Sequence, residues 1–368
     1  MAAMIYLDYN ATAPLRDAAF AAMTEALHQG GNPSSAHRHG RLARRRVEEA
    51  REIVAAAVGA APAGVIFTSG GTEANNLALS AFPGRRALAS AIEHPSILKN
   101  RIDALVPVDR HGVLDLAALD GMLEQGDLLA LMLANNETGV IQPVAEAAAM
   151  AHRCGAWVHG DAIQALGKIA VDMEALGLDS LSLSAHKIGG PQGVGALVLA
   201  DPEADLEPLI VGGGQERRHR AGTENVAGIV GFGAAVADLG DIEAEAARLA
   251  GLRDRIEKDC LDSLPGIAIF GRKVGRLSNT SCLALPGVPA QTLLMALDLV
   301  GIAVSAGSAC SSGKLAPSAV LIAMGEEGRA GSAIRLSLGW ASGEEEIGRF
   351  LDRFIPISQR LMREHQAA

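Results

Sequence analysis

An alternation of short apolar runs and helical patterns between residues 65 and 200 constrains the fold more than any other feature of the chain. The apolar runs predict strands at 65–68, 87–91, 128–133, 156–159, 180–184 and 195–199. Helices are predicted between them, for example at 72–81, 143–153 and 162–166. This order is typical of an α/β protein whose parallel or mostly parallel sheet has helices on both faces. Ligands bind at the carboxyl ends of the strands in such sheets, so polar residues there are the candidate site residues.

Lys187 is the first candidate, because it stands where a predicted strand ends. The alternating run 181–184 leads through Ala185 and His186 to Lys187, and a loop with four glycines and a proline follows. Most lysines lie on solvated surfaces, which is the ordinary interpretation. The apolar and glycine-rich surroundings favour a partly desolvated amine, which has a lowered pKa and acts as a nucleophile. Pyridoxal phosphate needs such an amine, a carboxylate for its ring nitrogen and a phosphate site.

The carboxylate and the phosphate site are both available upstream of Lys187. Asp161 ends another apolar run, and residues 65–76 read as a strand, a Gly-Gly turn and a helix start with Thr72 and Glu73. A helix N-terminus binds phosphate through its free N–H groups and its dipole, without a basic side chain. Alone, a Gly-rich turn is usually only a turn and a lone Asp usually a cap. Their order on successive strand ends, before Lys187, is specific for such a cofactor site.

Other polar residues at predicted strand ends and in loops are open to two interpretations. His94 is either a surface histidine or a ring that stacks on the cofactor and shuttles protons. The loop at 30–40 is either a surface turn or an active-site loop with Asn32 and His37 as polar contacts. The Gly-rich charged loop at 211–228 is either a disordered linker or part of the phosphate site through Thr223 and its neighbours.

Two residues in the C-terminal third could take part in chemistry. Cys310 lies in SAGSACSSGK, where small residues on both sides offer no apolar packing and favour an accessible thiol over a buried one. Arg335 interrupts an otherwise apolar or small strand, GSAIRLSLGW. It is either a residue of a strand edge at the surface or a bidentate clamp for a substrate carboxylate.

Composition limits the classes of function. The chain has 368 residues and a formal net charge of -10, so neither nucleic acid nor an anionic membrane surface is an expected partner. The four cysteines are widely separated and lack metal-ligand spacing, so no metal site is expected. So few cysteines suggest a reducing compartment, and the N-terminus lacks a signal peptide pattern. We therefore expect a cytoplasmic location.

The pattern also predicts two domains. A long helix at 233–263 resembles a connector, and the residues after it mix short strands (278–285, 302–306 and 333–338) with helices (290–300 and 344–365). We expect a large α/β domain at 15–255 and a small α+β domain formed by 1–14 with 256–368.

Ten segments, in order along nearly the whole chain, resemble the class V aminotransferase-fold cysteine desulfurases of the NifS/IscS type (group I). They read YLDYNATAP, GNPSSAH, TSGGTEANN, EHPSIL, NNETGVIQP, HGDAIQALGK, SLSAHKIGGPQG, GGGQERRHRAGTENV, SAGSACSSG and IRLSLG. The resemblance implies the pyridoxal 5'-phosphate-dependent fold type I and a homodimer. It also implies conversion of L-cysteine to L-alanine, with the sulfur passed to an acceptor or scaffold protein for iron–sulfur cluster assembly.

The resemblance also assigns roles in binding the cofactor. Lys187 would be the Schiff-base lysine, Asp161 would pair with the pyridine nitrogen, Gln164 would bond the ring hydroxyl, and His94 would stack on the ring. The phosphate would be held by Gly71, Thr72, Ser184 and His186, with Thr223 from the partner subunit.

The remaining roles concern the substrate. Asn136 would contact the cofactor or substrate, Asn32 and Arg335 would hold the substrate carboxylate, and Cys310 would carry the persulfide. The sequence departs from the family at Tyr9, Ala13 and Gln192, where Asn, Thr and Lys are common, and its tail MREHQAA lacks the usual ending by which many members dock their scaffold. That tail leaves the acceptor open.

Two other functions are compatible with parts of the pattern. A selenocysteine lyase or aminotransferase of the same fold needs Lys187 and Asp161 but has no use for Cys310 on a loop of small residues. A non-catalytic protein on this fold is expected to have lost Lys187 or Arg335, and the chain has both.

Overall fold

The computed structural model describes residues 4–82, 84–307 and 316–366. The strands are β1 (Ile5–Tyr6), β2 (Val65–Thr68), β3 (Ala87–Ser90), β4 (Ala104–Val106), β5 (Leu128–Met132), β6 (Trp157–Asp161), β7 (Ser180–Ser184), β8 (Gly195–Leu199), β9 (Ala268–Phe270), β10 (Thr280–Ala284), β11 (Ile302–Ala303), β12 (Ser305–Ala306) and β13 (Ala333–Ser337). The helices are α1 (Asp17–Gln29), α2 (Arg38–Ala56), α3 (Gly71–Ser80), α4 (Pro95–Leu98), α5 (Leu116–Met122), α6 (Val144–Arg153), α7 (Val226–Ala237), α8 (Ile242–Ser263), α9 (Ala290–Asp298), α10 (Ala319–Ala323), α11 (Glu327–Ala330) and α12 (Glu344–Gln366).

A seven-stranded sheet organises the first two thirds of the chain. Its strand order is β2-β8-β7-β6-β5-β3-β4. Strand β8 runs antiparallel to both of its neighbours, β2 and β7, and the other neighbouring pairs are parallel. Strands β5, β7 and β8 are buried along their whole length, which explains the nearly continuous aliphatic sequences of β5 and β8, whereas β7 alternates leucine with buried serine. The predicted α/β class with a mostly parallel sheet is confirmed. Because β3, β5, β6 and β7 are parallel, their carboxyl ends meet at one edge.

Two predicted helices differ from the structure. Residues 162–166 form turns and not a helix, because Gly167 follows them with a φ of 74°, in the left-handed region where a helix ends. The predicted helix at 233–263 is the last part of α7 followed by α8. The break lies at Gly240, whose φ of 68° disfavours other residues, and at Asp241, whose side chain caps α8.

The smaller part of the chain has its own sheet and its own buried cluster. A four-stranded sheet has the order β12-β13-β10-β9, and β1 pairs in parallel with β11. Ile5 and Leu7 pack in this second cluster with α8, α9 and α12, apart from the cluster that surrounds the seven-stranded sheet. Leu249 and Leu252, which precede the predicted boundary, also belong to this second cluster. The two clusters support a division into two domains, and the boundary at 255/256 remains a proposal. Among the described residues, no helix is long and apolar enough to cross a membrane.

Candidate active site

A cavity of about 760 Å³ lies where the carboxyl ends of the parallel strands face the smaller sheet. Most of the residues predicted from the sequence line it, although they are distant along the chain. They are Gly71, Thr72, His94, Asn136, Asp161, Gln164, Ser184, His186, Lys187 and Arg335. The fold therefore brings an amine, two imidazoles, a carboxylate and a guanidinium to one enclosed space.

Lys187 follows β7 in a short 3₁₀ turn, so its amine is held at the sheet edge. The Nζ atom donates to the carbonyl oxygens of Asn10 at 2.6 Å and Ala11 at 2.8 Å. Burial, together with the positive charge of Arg335, lowers the pKa of Lys187 from 10.5 to about 8. About a tenth of the amine is thus unprotonated at pH 7, far more than for an ordinary lysine, and only this form is the nucleophile.

Asp161 ends β6 and is fixed by two donors. Asn75 Nδ2 lies 2.8 Å from Oδ2, and the backbone N–H of Ile163 lies 2.9 Å from Oδ1. Burial raises the pKa of Asp161, and both hydrogen bonds oppose that rise because they favour the carboxylate. Asn75 is in turn oriented by His159, whose Nε2 lies 3.1 Å from its Oδ1. Our sequence analysis missed both residues, although a strand places His159 and Asp161 on the same face.

His94 lines the cavity and also caps α4. Its Nδ1 accepts the N–H of Ser96 at 3.1 Å. The neutral imidazole therefore has its proton on Nε2. Burial lowers the pKa of His94, the nearby Lys187 lowers it further, and the charge of Asp161 opposes both effects. The ring is accordingly neutral at physiological pH.

The turn before α3 presents free N–H groups of a helix N-terminus to the cavity. Gly70 has a φ of 151°, which other residues disfavour, and no side chain caps the helix that starts at Gly71. Gly195 on β8 allows a close approach, since a Cβ there would lie 2.6 Å from the backbone of Gly70. Burial, with the charge of Lys187, lowers the pKa of His186 to about 4, so this ring is a neutral hydrogen-bonding partner beside Ser184. The uncapped N–H groups and these side chains fit a phosphate group.

Arg335 is buried on β13 and faces the cavity from the smaller sheet. It donates to Asp8 Oδ1 at 2.7 Å and to the carbonyl oxygen of Asn136 at 3.0 Å. Its Nε is buried and has no hydrogen-bond partner among the described residues. A buried, unpaired guanidinium N–H is costly, and a ligand carboxylate would satisfy it. Asp8, which also accepts from Ser305 at 2.8 Å, was not predicted from the sequence.

Three predicted residues of the described part of the chain, Asn32, His37 and Thr223, do not line the cavity. Asn32 is exposed, and its side chain accepts the N–H of Ser34 at 2.9 Å, while His37 caps α2. Thr223 is exposed in the single chain. Cys310 lies outside the described residues, but segments on both sides of it, 305–307 and 319–320, line the cavity.

The other cysteines are poor nucleophiles where the structure describes their ionisation. Burial raises the pKa of Cys260 to about 12, and burial also raises the pKa of Cys282. Both therefore remain protonated thiols at neutral pH. Cys154 is partly buried at the end of α6, away from the cavity lining.

Comparison with known proteins gives the family. Residues 5–350 match the family described as aminotransferase class-V. The chain belongs to this family. A cysteine desulfurase of Cereibacter sphaeroides is 44% identical over 97% of this chain and 96% of its own length. A cysteine desulfurase IscS of Dictyoglomus turgidum is 40% identical over 97% and 95% of the two chains.

A solved structure agrees with these relatives. A NifS-like protein from Rickettsia africae has a TM-score of 0.90 and 36% identity, and the match covers 97% of this chain and 99% of that one. The predicted family is confirmed: the chain is a pyridoxal phosphate-dependent enzyme of the cysteine desulfurase group. The residues of the cavity fit that cofactor, because an amine, a carboxylate and an uncapped helix N-terminus line one space of about 760 Å³.

Proposed function

We propose that this enzyme converts L-cysteine to L-alanine and transfers the sulfur, as a persulfide on Cys310, to an acceptor protein for iron–sulfur cluster assembly. The observation that carries the proposal is the pairing, in one cavity, of the Lys187 amine with the unpaired Nε of Arg335. These two groups suit an amino acid whose carboxylate is held while its α-proton is removed. The similarity to cysteine desulfurases indicates that this amino acid is L-cysteine.

The residues that would hold pyridoxal phosphate divide by the part of the cofactor that each one suits. Lys187 would bind it covalently, Asp161 would hold the proton on its ring nitrogen, and Gln164 would bond its hydroxyl. The α3 N-terminus, with Ser184 and His186, would bind its phosphate. The bound cofactor supplies a sink for the electrons that remain when the substrate loses its α-proton.

Substrate residues act from the opposite side of the cavity. Arg335 would bind the substrate carboxylate through its guanidinium and thereby orient the Cα–H bond toward the Lys187 amine, which accepts the proton. The Cys310 thiolate then attacks the substrate sulfur, so that an S–S bond forms as the C–S bond breaks and its electron pair stays with the alanine carbon skeleton. His94, neutral and protonated on Nε2, is suited to assist proton transfer at the thiol or at the carbon that loses the sulfur.

The proposal extends to assembly and location. A homodimer would place Thr223 of each chain at the phosphate site of the other, and Asn32 remains predicted to contact the substrate carboxylate. Large apolar side chains that the single chain exposes, such as Phe20 at 62% and Leu27 at 69%, support association. We also propose a cytoplasmic location, where an acceptor for the sulfur is available.

The direct test is to supply the purified enzyme with L-cysteine and a reductant and to quantify alanine and sulfide. Equal molar amounts of both products are expected. The control is Cys310→Ser, which should retain the cofactor absorbance and lose sulfide release. Sulfide release by Cys310→Ser at the wild-type rate would refute the role of Cys310. Formation of a keto acid instead of alanine would indicate an aminotransferase.

A further inference from the structure

A second lysine lies directly behind the cavity and has no part in the proposed reaction. Lys168 stands in the turns after β6, and its Nζ donates to Gln164 Oε1 at 2.6 Å and to Asn10 Oδ1 at 2.8 Å. It does not line the cavity, whereas Gln164 and Asn10 do. Its side chain as a whole is half-buried, but the amine points inward onto two amide oxygens.

Asn10 connects this lysine to Lys187. The carbonyl oxygen of Asn10 accepts from Lys187 Nζ at 2.6 Å and from Gln164 Nε2 at 2.9 Å. Its side chain accepts from Lys168 and from Asn279 at 3.1 Å, and donates to Thr280 at 2.8 Å. Asn10 is 1% exposed, so these bonds have no competition from water. The carbonyl oxygen of Asn10 thus joins Gln164 to Lys187.

The chemistry of a lysine amine fixes the direction of the Gln164 amide. The Lys168 amine donates to Gln164 Oε1, while Gln164 Nε2 donates to the Asn10 carbonyl, so the amide is held at both of its ends. The second hydrogen of the NH₂ group stays available to a ligand in the cavity. Without Lys168 only the bond to the Asn10 carbonyl remains, so the amide plane can rotate and the donor is no longer presented in one direction.

We propose that Lys168 is a positioning residue that orients the Gln164 amide toward the cofactor, while Asn10 is held independently by Asn279 and Thr280. The proposal rests on the proposed function insofar as the ligand is pyridoxal phosphate. It adds to that function a residue outside the cavity whose effect passes through Gln164. Its consequence is that Lys168 and Gln164 are coupled in cofactor binding and that neither contributes fully without the other.

A double-mutant cycle measures this coupling. Equilibrium dialysis of the full-length protein, first freed of cofactor, gives the Kd of pyridoxal 5'-phosphate for the wild type, Lys168→Met, Gln164→Ala and the double variant. Lys168→Met should raise the Kd about tenfold, since the buried oxygen of Gln164 loses its hydrogen-bond donor. In the Gln164→Ala background the same substitution should change the Kd less than twofold. Lys168→Arg, which retains a donor-only group, should recover part of the affinity.

Controls separate positioning from stability. Lys258→Met makes the same substitution at an exposed lysine of α8 and should leave the Kd unchanged. An equal loss of affinity from Lys168→Met in both backgrounds would overturn the proposal, as would a change below twofold in the wild type. If Lys168→Met does not fold, as judged by circular dichroism, Lys168→Gln and Lys168→Arg replace it, and equal affinity of those two variants would overturn the proposal. A wild type that does not bind pyridoxal 5'-phosphate would contradict the proposed function instead.

Discussion

At the residue scale, the surroundings of Lys187 set the pKa of its amine. Burial and the charge of Arg335 bring its pKa to about 8, so the amine is protonated below that pH and free above it. In the cofactor-free protein, trinitrophenylation of Lys187 should therefore follow a curve with its midpoint near pH 8, measured by peptide mass spectrometry. Arg335→Met should move the midpoint to higher pH, because a repelling charge is removed. An unchanged midpoint in that variant would contradict this electrostatic account.

Glu93 is a buried carboxyl whose charge state can be tested by an isosteric substitution. Burial and the neighbouring Asp161 hold its pKa well above the ordinary value, so the neutral acid is favoured over the carboxylate relative to an exposed glutamate. Its Oε1 accepts the N–H of Met132 at 2.7 Å. Glu93→Gln preserves that bond and should change the free energy of unfolding by less than about 0.5 kcal/mol. Glu93→Ala leaves the N–H unpaired and should cost about 1–3 kcal/mol in urea denaturation.

A loss from Glu93→Gln as large as that from Glu93→Ala would mean that the carboxyl is ionised. The neutral state matters to the site, because a second negative charge beside Asp161 would raise the pKa of that carboxyl further and weaken its hold on a protonated ring nitrogen.

The residues that line the cavity were predictable from the sequence, and the residues that support them were not. Lys187, Asp161 and Gly71 stand at strand or helix ends, where local pattern indicates a ligand site. Asn10 and Asn75 support them through hydrogen bonds to residues more than eighty positions away. No local periodicity encodes such a contact, so only the folded chain identifies these partners.

At the element scale, the turn at 214–218 illustrates how an unfavourable backbone is held in place. Glu216, Arg217 and Arg218 have positive φ values, which are uncommon for residues other than glycine. The Glu216 carboxylate is buried and accepts two N–H groups of Arg51, at 2.8 and 3.0 Å, and the N–H of Phe67 at 3.0 Å. The ion pair between Glu216 and Arg51 holds the loop that leads to Thr223 against α2 and β2.

Glu216→Ala should therefore lower the free energy of unfolding by about 3–5 kcal/mol, because it leaves the Arg51 charge buried and unpaired. Urea denaturation of the full-length enzyme measures the loss. Glu48→Ala is a matched control, since Glu48 also contacts Arg51, at 3.2 Å, but is 46% exposed and should contribute less than about 1 kcal/mol. Similar losses from the two variants would show that burial of the pair is not the cause.

Strands were easier to predict than helix boundaries, for a physical reason. Six of the seven strands of the large sheet were predicted, because each is a short, mostly buried run bounded by turn residues. The strand β4 was missed, because it lies at the edge of the sheet and Leu105 in it is 51% exposed. The segment 162–166 has helical composition, but Gly167 follows it with a φ of 74°, so a helix cannot continue beyond it. The break between α7 and α8 depends on Gly240 and on the Asp241 cap, a signal that was present in the sequence and was outweighed by the apolar spacing around it.

At the scale of the whole molecule, the cavity is completed by residues from both ends of the chain. Arg335 on β13 donates to Asp8, which follows β1, and to Asn136, which follows β5. The two sheets therefore meet at the site through one buried guanidinium. A chain without its last strand would lose the carboxylate contact while keeping Lys187 and Asp161.

A homodimer with shared sites makes a prediction that a monomer does not. If Thr223 serves the partner's phosphate site, Thr223→Asp should weaken cofactor binding by charge repulsion, and Lys187→Ala should abolish covalent binding in its own chain. In a mixed dimer of the two variants, the site with an intact Lys187 receives the intact Thr223 of the other chain. Unfolding and refolding the two proteins together, with different affinity tags, yields that dimer.

The mixed dimer should regain about half of the wild-type cofactor absorbance and of the alanine formation from L-cysteine, because one of its two sites is complete and the other carries both substitutions. Each parent protein, refolded alone, is the control and should stay defective. If Thr223 instead acts in its own chain, every site in the mixed dimer carries one substitution and no recovery occurs. Recovery of cofactor absorbance and activity in the doubly tagged dimer therefore shows which chain supplies the threonine. Thr223 is exposed in the single chain, as a residue that serves the partner's site would be.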